Sequence, residues 1–177
     1  THVIRGEEWL SSVPKHIALF RACGYRMPKY IHTAQVMKID EEDGTKRKLS
    51  KRKDPEAAVS YFVEKGFPKE SLIEYLLTLL NSNFEDWRKA NPQLPAMAFP
   101  FNVKKMSASG CLFDLLKLTD VSKNVISHMD AKTVYERVAA WAKIYAPDFA
   151  EIFCADPAYS TAIVNIDRDC PKPRKDI

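Results

Sequence analysis

The spacing of apolar positions changes once along the chain, near residue 54. Before that point, Val3–Ile4 and Tyr30–Ile39 read as extended segments, and Ile17, Phe20 and Cys23 between them recur at helical spacing. This order predicts strand, helix, strand, as in half of a doubly wound sheet.

From Asp54 onward the pattern is helical. Asp54-Pro55 suits a helix start, Gly66 suits a helix end, and a leucine-rich helix is expected after Pro68. The clearest late helix is Ala131–Tyr145, capped by Asp130. The positions expected to face inward are Leu72, Ile73, Leu76, Leu79 and Leu80 in the first of these helices, and Val134, Val138, Trp141 and Tyr145 in the second.

Shorter helical patterns complete the chain, and an irregular connection carries Pro92, Pro95 and Pro100. The shorter helices are expected near Phe113–Lys117, Val121–His128, Phe149 and Tyr159. The predicted fold class is therefore mainly α, with a small α/β part at the N-terminal end.

A strongly charged segment lies between the two patterns. The acidic run Asp40–Asp43 and Gly44 precede Lys48–Lys53, in which four cations surround Ser50. We expect a mobile surface loop over Asp40–Lys53, with a hairpin turn at Asp43-Gly44. Cations at this density repel one another unless a polyanion such as a triphosphate or RNA neutralises them. A solvated basic face or a localisation-type cluster is the alternative.

Composition and charge exclude few classes of protein function. The net charge of +4, from 27 basic and 23 acidic residues, is compatible with a nucleotide or RNA partner. The four cysteines lack CxxC spacing and no Cys/His cluster has zinc-site spacing, so we expect no metal site and a reduced, cytoplasmic protein. No apolar stretch is long enough for a membrane span. The sequence opens without Met or a signal peptide, which suggests a piece of a longer protein.

Two motifs resemble a known family. Lys48–Arg52 resembles the KMSKS motif of class I aminoacyl-tRNA synthetases, in the K-[IL]-S-K-R form typical of glutamyl enzymes, and His2–Trp9 resembles their HVIRGEEW segment. Further similar stretches are Gly66–Pro68, Gly110–Leu118 and Pro171–Ile177. The chain is thus similar to bacterial-type glutamyl-tRNA synthetases, most weakly between Phe84 and Met106.

The resemblance implies roles for residues near the N-terminus. Arg5 would pair with a carboxylate of bound glutamate, and its alternative is an ion pair with Glu7 or Glu8. Glu8 and Trp9 would lie beside ATP, or serve as a helix-start carboxylate and a core aromatic. The backbone of Val36 would read adenine, although its side chain would be core.

The resemblance also assigns the basic string. Lys51 would be the catalytic lysine on the ATP phosphates, and Lys48 and Ser50 would shape the loop and add contacts. Arg52, assigned to the ATP site, and Lys53, assigned to tRNA binding, would hold the loop closed or reach RNA phosphate. The remaining conspicuous residues, Tyr30, His32, Trp87 and Trp141, are interpreted as packing or rim residues.

The chain departs from the family in one large respect. None of its four histidines lies in a HIGH motif, the family's first signature. The resemblance therefore implies the second half of a Rossmann-like nucleotide-binding fold over 1–53, a helical stem-contact-like region over 54–128, and a connector towards an anticodon-binding domain over 129–177. Such a fragment would be inactive alone.

The expected parent is an ATP- and Mg²⁺-dependent glutamate–tRNA ligase. Its partners would be tRNA, ATP and glutamate, with no membrane, and a monomer is expected. Two alternatives remain at this stage. One is a related class I enzyme, either a glutaminyl-tRNA synthetase or a tRNA-glutamylating modification enzyme, and the other is a freestanding helical RNA-binding module without catalysis.

Overall fold

The computed structural model describes residues 1–40, 42–168 and 170. The described strands are β1 (His2–Gly6), β2 (Lys29–Thr33), β3 (Val36–Ile39), β4 (Lys46–Lys48) and β5 (Cys111–Leu112). The described helices are α1 (Val13–Ala22), α2 (Val59–Glu64), α3 (Lys69–Leu80), α4 (Phe84–Ala90), α5 (Leu115–Ser127), α6 (Ala131–Tyr145), α7 (Pro147–Ala155) and α8 (Pro157–Val164). The mainly α fold class is confirmed.

The chain forms two compact units that alternate along the sequence. The first comprises Thr1–Ser50, Leu77–Ala90 and Phe99–Phe113, and the second comprises Lys51–Leu76, Asn91–Ala98 and the chain from Asp114 onward. The three consecutive segments expected from the sequence, 1–53, 54–128 and 129–177, stay a prediction. The resemblance at Pro171–Ile177 lies outside the described residues.

The N-terminal part of the first unit is a strand–helix–strand element. Strands β1 and β2 pair in parallel, with His2 opposite Lys29 and Gly6 opposite Thr33, and α1 connects them. Gly24 follows α1 at φ +67°, a left-handed conformation that glycine adopts without strain. The predicted β-α-β order is confirmed.

A second sheet in this unit has the strand order β4-β3-β5. Strand β3 pairs antiparallel with β4 and parallel with β5. The single strand expected over Tyr30–Ile39 is therefore wrong, because β2 and β3 join different sheets and Ala34-Gln35 separates them. Strand β5 has two residues, which is too short to leave a period in the sequence.

Acidic side chains build the turn between β3 and β4. The Asp40 N–H donates to the Thr45 carbonyl at 2.8 Å, and the Asp40 carboxylate pairs with Arg47. The Asp43 carboxylate accepts from the Thr45 hydroxyl at 2.7 Å and the Thr45 N–H at 2.9 Å, and these bonds lower the pKa of Asp43. Gly44 follows at φ +70°. The hairpin turn at Asp43-Gly44 is confirmed, and two acidic residues from Asp40–Asp43 hold it.

The first unit contains a buried cluster of aromatic side chains. Phe84 and Phe99 are 2% and 7% exposed, and their rings meet edge to face at 5.1 Å. Trp87 of α4 contacts the same Phe99 ring at 5.4 Å. The interpretation of Trp87 as a packing residue is confirmed, although helix α4 was not predicted.

In the second unit, aspartates cap three helices. Asp114 accepts from the Leu116 and Lys117 N–H groups at the start of α5, Asp130 accepts from Thr133 in α6, and Asp156 accepts from Tyr159 in α8. These bonds satisfy N–H groups that the helices themselves leave unpaired. Helix α5 replaces the two short helices expected at Phe113–Lys117 and Val121–His128.

Polar residues, rather than leucines, form the most buried face of α3. Ser71 and Tyr75 are 0% and 1% exposed, whereas Leu76 is 52% exposed. The Ser71 hydroxyl bonds to that of Ser122 at 3.2 Å, and the Tyr75 hydroxyl accepts from the Asp114 N–H at 2.6 Å. Burial is tolerated because each group has a partner. The expectation that the apolar residues of this helix face inward is therefore wrong for Leu76 and for Ile73, which is also exposed.

Helix α6 packs through buried alanines and a tryptophan hydrogen bond, and one of its arginines forms an ion pair. Ala139 and Ala142 are buried, Trp141 donates from its indole N–H to the Val63 carbonyl at 3.0 Å, and Tyr145, expected inside, is exposed. The Arg137 guanidinium binds both oxygens of Glu70, at 2.9 and 3.1 Å, and lowers the pKa of that carboxyl. No helix among the described residues is both long and apolar enough to cross a membrane.

Two leucines of α5 give a matched test of this packing. Leu118 is 0% exposed and Leu116 is 82% exposed. We expect Leu118→Ala to lower the free energy of unfolding by about 2–5 kcal/mol, because it removes buried apolar contacts and leaves a cavity. Leu116→Ala should change it by less than about 0.5 kcal/mol. Urea unfolding followed by circular dichroism measures both, and equal effects would contradict the packing described.

The β3–β4 hairpin predicts alternating amide protection. The Leu49 N–H donates to the Val36 carbonyl at 2.9 Å, so antiparallel alternation directs the Arg47 N–H towards β3 and the Lys46 and Lys48 N–H groups away from it. We expect slow hydrogen exchange at Arg47 and Leu49 and fast exchange at Lys46 and Lys48. Uniformly fast exchange would show instead the mobile loop that the charge pattern alone predicts.

Candidate functional site

The basic string begins at the end of a strand and continues into an exposed turn. Lys48 closes β4, Leu49 makes the last bond of the hairpin to Val36, and Ser50 is half-buried. Lys51, Arg52 and Lys53 are all exposed in the turn that follows. Lys48–Ser50 belong to the first unit and Lys51–Lys53 to the second. The expected loop is thus ordered by strand pairing up to Lys48, and three consecutive cations are displayed after it.

An ion pair joins the two motifs within the first unit. The Lys48 ammonium lies 3.4 Å from the Glu8 carboxylate, which is 40 residues earlier in the chain. The pKa of Glu8 is lowered, first by its own backbone N–H and then by Lys48. Both side chains keep about half of their surface in water, so the pair contributes little to stability.

Gly6 makes room for the Glu8 carboxylate. A Cβ built on Gly6 would lie 2.1 Å from Glu8 Oε2, well inside contact distance. Gly6 has an ordinary extended backbone, at φ −66° and ψ 153°, so a larger side chain here would displace the flexible Glu8 carboxylate without straining the backbone. The chain therefore folds Glu8 back over the end of β1.

Arg5 lies in a cluster of aromatic side chains. Its Nε is 3.3 Å from His32 Nε2, and its Nη1 is 3.0 Å from His16 Nδ1. Its Nη2 donates to the Trp9 carbonyl at 3.4 Å. The guanidinium carbon lies 4.9 Å from the centre of the Tyr30 ring. Meanwhile the Glu7 carboxylate accepts from the Gln35 N–H, and Glu8 contacts Lys48. The described contacts of Arg5 are thus with His16, His32, Tyr30 and Trp9, and each of the two glutamates contacts another residue.

Trp9 and Val36, both expected beside ATP, differ in exposure. Trp9 is 50% exposed, which excludes the alternative of a core aromatic, and the Arg5 guanidinium lies 5.7 Å from its ring centre. Val36 is half-buried, and its carbonyl already accepts from Leu49. A carbonyl has a second lone pair, so this backbone group can still meet a ligand.

The structure brings Arg5, Glu8, Trp9 and Lys48 into the first unit, together with residues that sequence reasoning did not assign to a site. Those residues are His16, Tyr30 and His32. Parallel pairing of β1 with β2 places Arg5 opposite His32. A correct prediction of this strand register would have predicted the contact between the two side chains. No group of three or more metal-ligating side chains occurs among the described residues.

Comparisons with known proteins identify the family. The family described as class I tRNA synthetases (E and Q), catalytic domain, matches residues 1–118. The glutamate–tRNA ligase of Clostridium perfringens strain 13 is 51% identical over 176 residues, which cover 99% of this chain and 32% of that protein. That of Acetivibrio thermocellus is 48% identical over 177 residues, covering 100% and 32%.

Solved structures show the same fold. A crystal structure of a glutamate tRNA ligase from Elizabethkingia meningosepticum, in complex with its amino acid, matches with a TM-score of 0.62 and 23% identity, over 91% of this chain and 35% of that one. This chain spans about a third of the length of the relatives it matches. On the match over residues 1–118, the chain belongs to the family described as class I tRNA synthetases (E and Q), catalytic domain.

Proposed function

We propose that this chain is the part of a glutamate–tRNA ligase that binds ATP through a KMSKS-type loop and glutamate through Arg5. The observation that carries the proposal is the Glu8–Lys48 contact at 3.4 Å, which connects the HVIRGEEW-like segment to the first residue of the KMSKS-like motif within the first unit. The relatives at 51% and 48% identity are all named glutamate–tRNA ligases, which favours glutamate over glutamine. The family match over residues 1–118 speaks against a freestanding RNA-binding module.

The phosphates of ATP are the proposed partners of the basic string. Lys48 is held by an exposed carboxylate in a weak pair, which a triphosphate with its higher charge can displace. Lys51 and Arg52 follow Lys48 closely in the chain and are exposed, so both side chains are accessible to an anionic ligand. In this proposal Lys51 neutralises the charge that develops on departing pyrophosphate, while Ser50 shapes the loop.

The base and the amino acid occupy the other end of the site in this proposal. Trp9, half exposed beside Arg5, offers a face to the nucleotide, and the backbone of Val36 contacts adenine. The Arg5 guanidinium receives a carboxylate of glutamate, since its planar array of N–H groups suits two carboxylate oxygens.

The chemistry needs no protein nucleophile. The glutamate carboxylate attacks the α-phosphorus of ATP and pyrophosphate leaves. A terminal ribose hydroxyl of tRNA then attacks the carbonyl of the adenylate, and AMP leaves. Mg²⁺ enters with ATP as part of the substrate. The chain's own contribution is to position the reactants and to neutralise charge.

Pyrophosphate exchange tests the role of Lys51. In a full-length enzyme that carries these residues, we expect Lys51→Ala to lower the exchange rate roughly 100- to 1000-fold, because a contact made in the transition state is lost. Lys46→Ala, in the same hairpin but outside the motif, should leave the rate within about threefold. The 177-residue chain alone should show no exchange above background with glutamate, ATP and tRNA. Near-normal exchange by Lys51→Ala, or activity of the chain alone, would refute the assignment.

Salt dependence tests the tRNA role. We expect the chain to bind tRNA at low salt and to lose affinity steeply as salt rises, since phosphate contacts release counterions. Lys53→Ala should reduce the slope of log K against log salt by about one unit if Lys53 meets a phosphate. Lys89→Ala, on α4 beside Asp86, serves as the control. Binding that does not change with salt would contradict the proposal.

A further inference from the structure

The environment of Arg5 fixes the state of two histidines. We propose that His16 and His32 are positioning residues, each a neutral imidazole in a single tautomer, that hold the Arg5 guanidinium in place for a carboxylate. We call Arg5, His16, Tyr30 and His32 the Arg5 clamp. All four lie in the first unit.

The tautomers follow from the chemistry of the donor. A guanidinium has five N–H donors and no acceptor, so every ring nitrogen that bonds to it must carry a lone pair. His16 meets Arg5 through Nδ1 at 3.0 Å, and its proton therefore resides on Nε2. His32 meets Arg5 through Nε2 at 3.3 Å, and its proton therefore resides on Nδ1. A protonated imidazolium at either position would lose the bond and repel Arg5.

The Tyr30 ring lies nearly parallel to both imidazoles. For His16 there are 20° between the ring planes and 6.5 Å between the ring centres. For His32 the values are 17° and 6.4 Å. The guanidinium carbon lies 4.9 Å from the same tyrosine ring, within range of a cation–π contact. The clamp thus restrains Arg5 from two edges and one face.

The remaining N–H groups of Arg5 define what it can bind. Within the described residues, its bonds to His32, His16 and the Trp9 carbonyl use one hydrogen each on Nε, Nη1 and Nη2. One hydrogen is left on each Nη nitrogen, which matches the two oxygens of one carboxylate. That this carboxylate belongs to glutamate rests on the proposed function, whereas the clamp itself does not.

Nitrogen-15 NMR of the imidazole rings tests the clamp in the 177-residue chain at neutral pH. We expect an unprotonated Nδ1 in His16 and an unprotonated Nε2 in His32. Because an unconstrained imidazole favours the Nε2–H form, His32 is the more informative of the two. Arg5→Met should return His32 to a majority of that form.

His128 is the internal control. Its Nδ1 lies 2.8 Å from the Asn124 carbonyl, which can only accept, so the Nδ1–H tautomer is set there without Arg5. Its signal should not change in Arg5→Met. A majority Nε2–H form of His32 in the unmodified chain, or the same His32 tautomer with and without Arg5, would overturn the inference.

Conservative variants separate positioning from packing. Gln at position 32 offers an oxygen near Nε2, whereas Leu offers no acceptor. We expect His32→Leu to speed solvent exchange of the Arg5 Nε–H roughly tenfold and His32→Gln to hold it within about threefold of the original. Equal acceleration by both variants would reduce His32 to a space-filling role. Near-normal pyrophosphate exchange by the full-length Lys51→Ala enzyme, with the tautomers intact, would refute the proposed function and leave the clamp standing.

Discussion

The parallel register of β1 and β2 is the constraint on which the candidate site depends. It places Arg5 opposite His32 and ends at Gly6 opposite Thr33. A shift by one residue would turn every side chain of β1 to the other face of the sheet. Arg5 would then lose its contact with His32. The place of Arg5 in the candidate site therefore follows from one pairing of five residues per strand.

The hairpin depends on a different set of forces. Backbone bonds carry β3 and β4 as far as Leu49, and aspartates at the turn supply bonds that the backbone alone does not make. Asp40 and Asp43 bind Arg47 and Thr45, so the acidic run offsets part of the repulsion among the cations that follow. The hairpin pairing ends at Leu49, and the turn residues Lys51–Lys53 that follow are exposed. Order before the motif and exposure within it suit the proposed contact with a mobile polyanion.

Sequence patterns predicted those features that depend on local periodicity or on a motif. The β-α-β order, the caps at Asp130 and the turn at Asp43-Gly44 belong to this class. Sequence patterns failed where contacts between residues distant in sequence decide which side chains are buried. Ser71 and Tyr75 are buried because Ser122 and the Asp114 N–H satisfy them, and neither partner is close in sequence. For the candidate site, Arg5, Glu8 and Lys48 were found by motif, whereas His16 and His32 required the register of two strands. The individual roles of those residues in binding stay predictions.

The order β4-β3-β5 leaves the second sheet with two edges of different character. Strand β5 is two residues long, and a strand so short offers little backbone for another molecule to pair with. Strand β4 is the sequence Lys46-Arg47-Lys48, so an identical strand approaching its open side would bring three cations against three. The charges that suit a phosphate ligand thus also keep the sheet from extending into a neighbouring molecule. Replacing them with apolar β-formers would remove this protection, and self-association through β4 would be the first consequence.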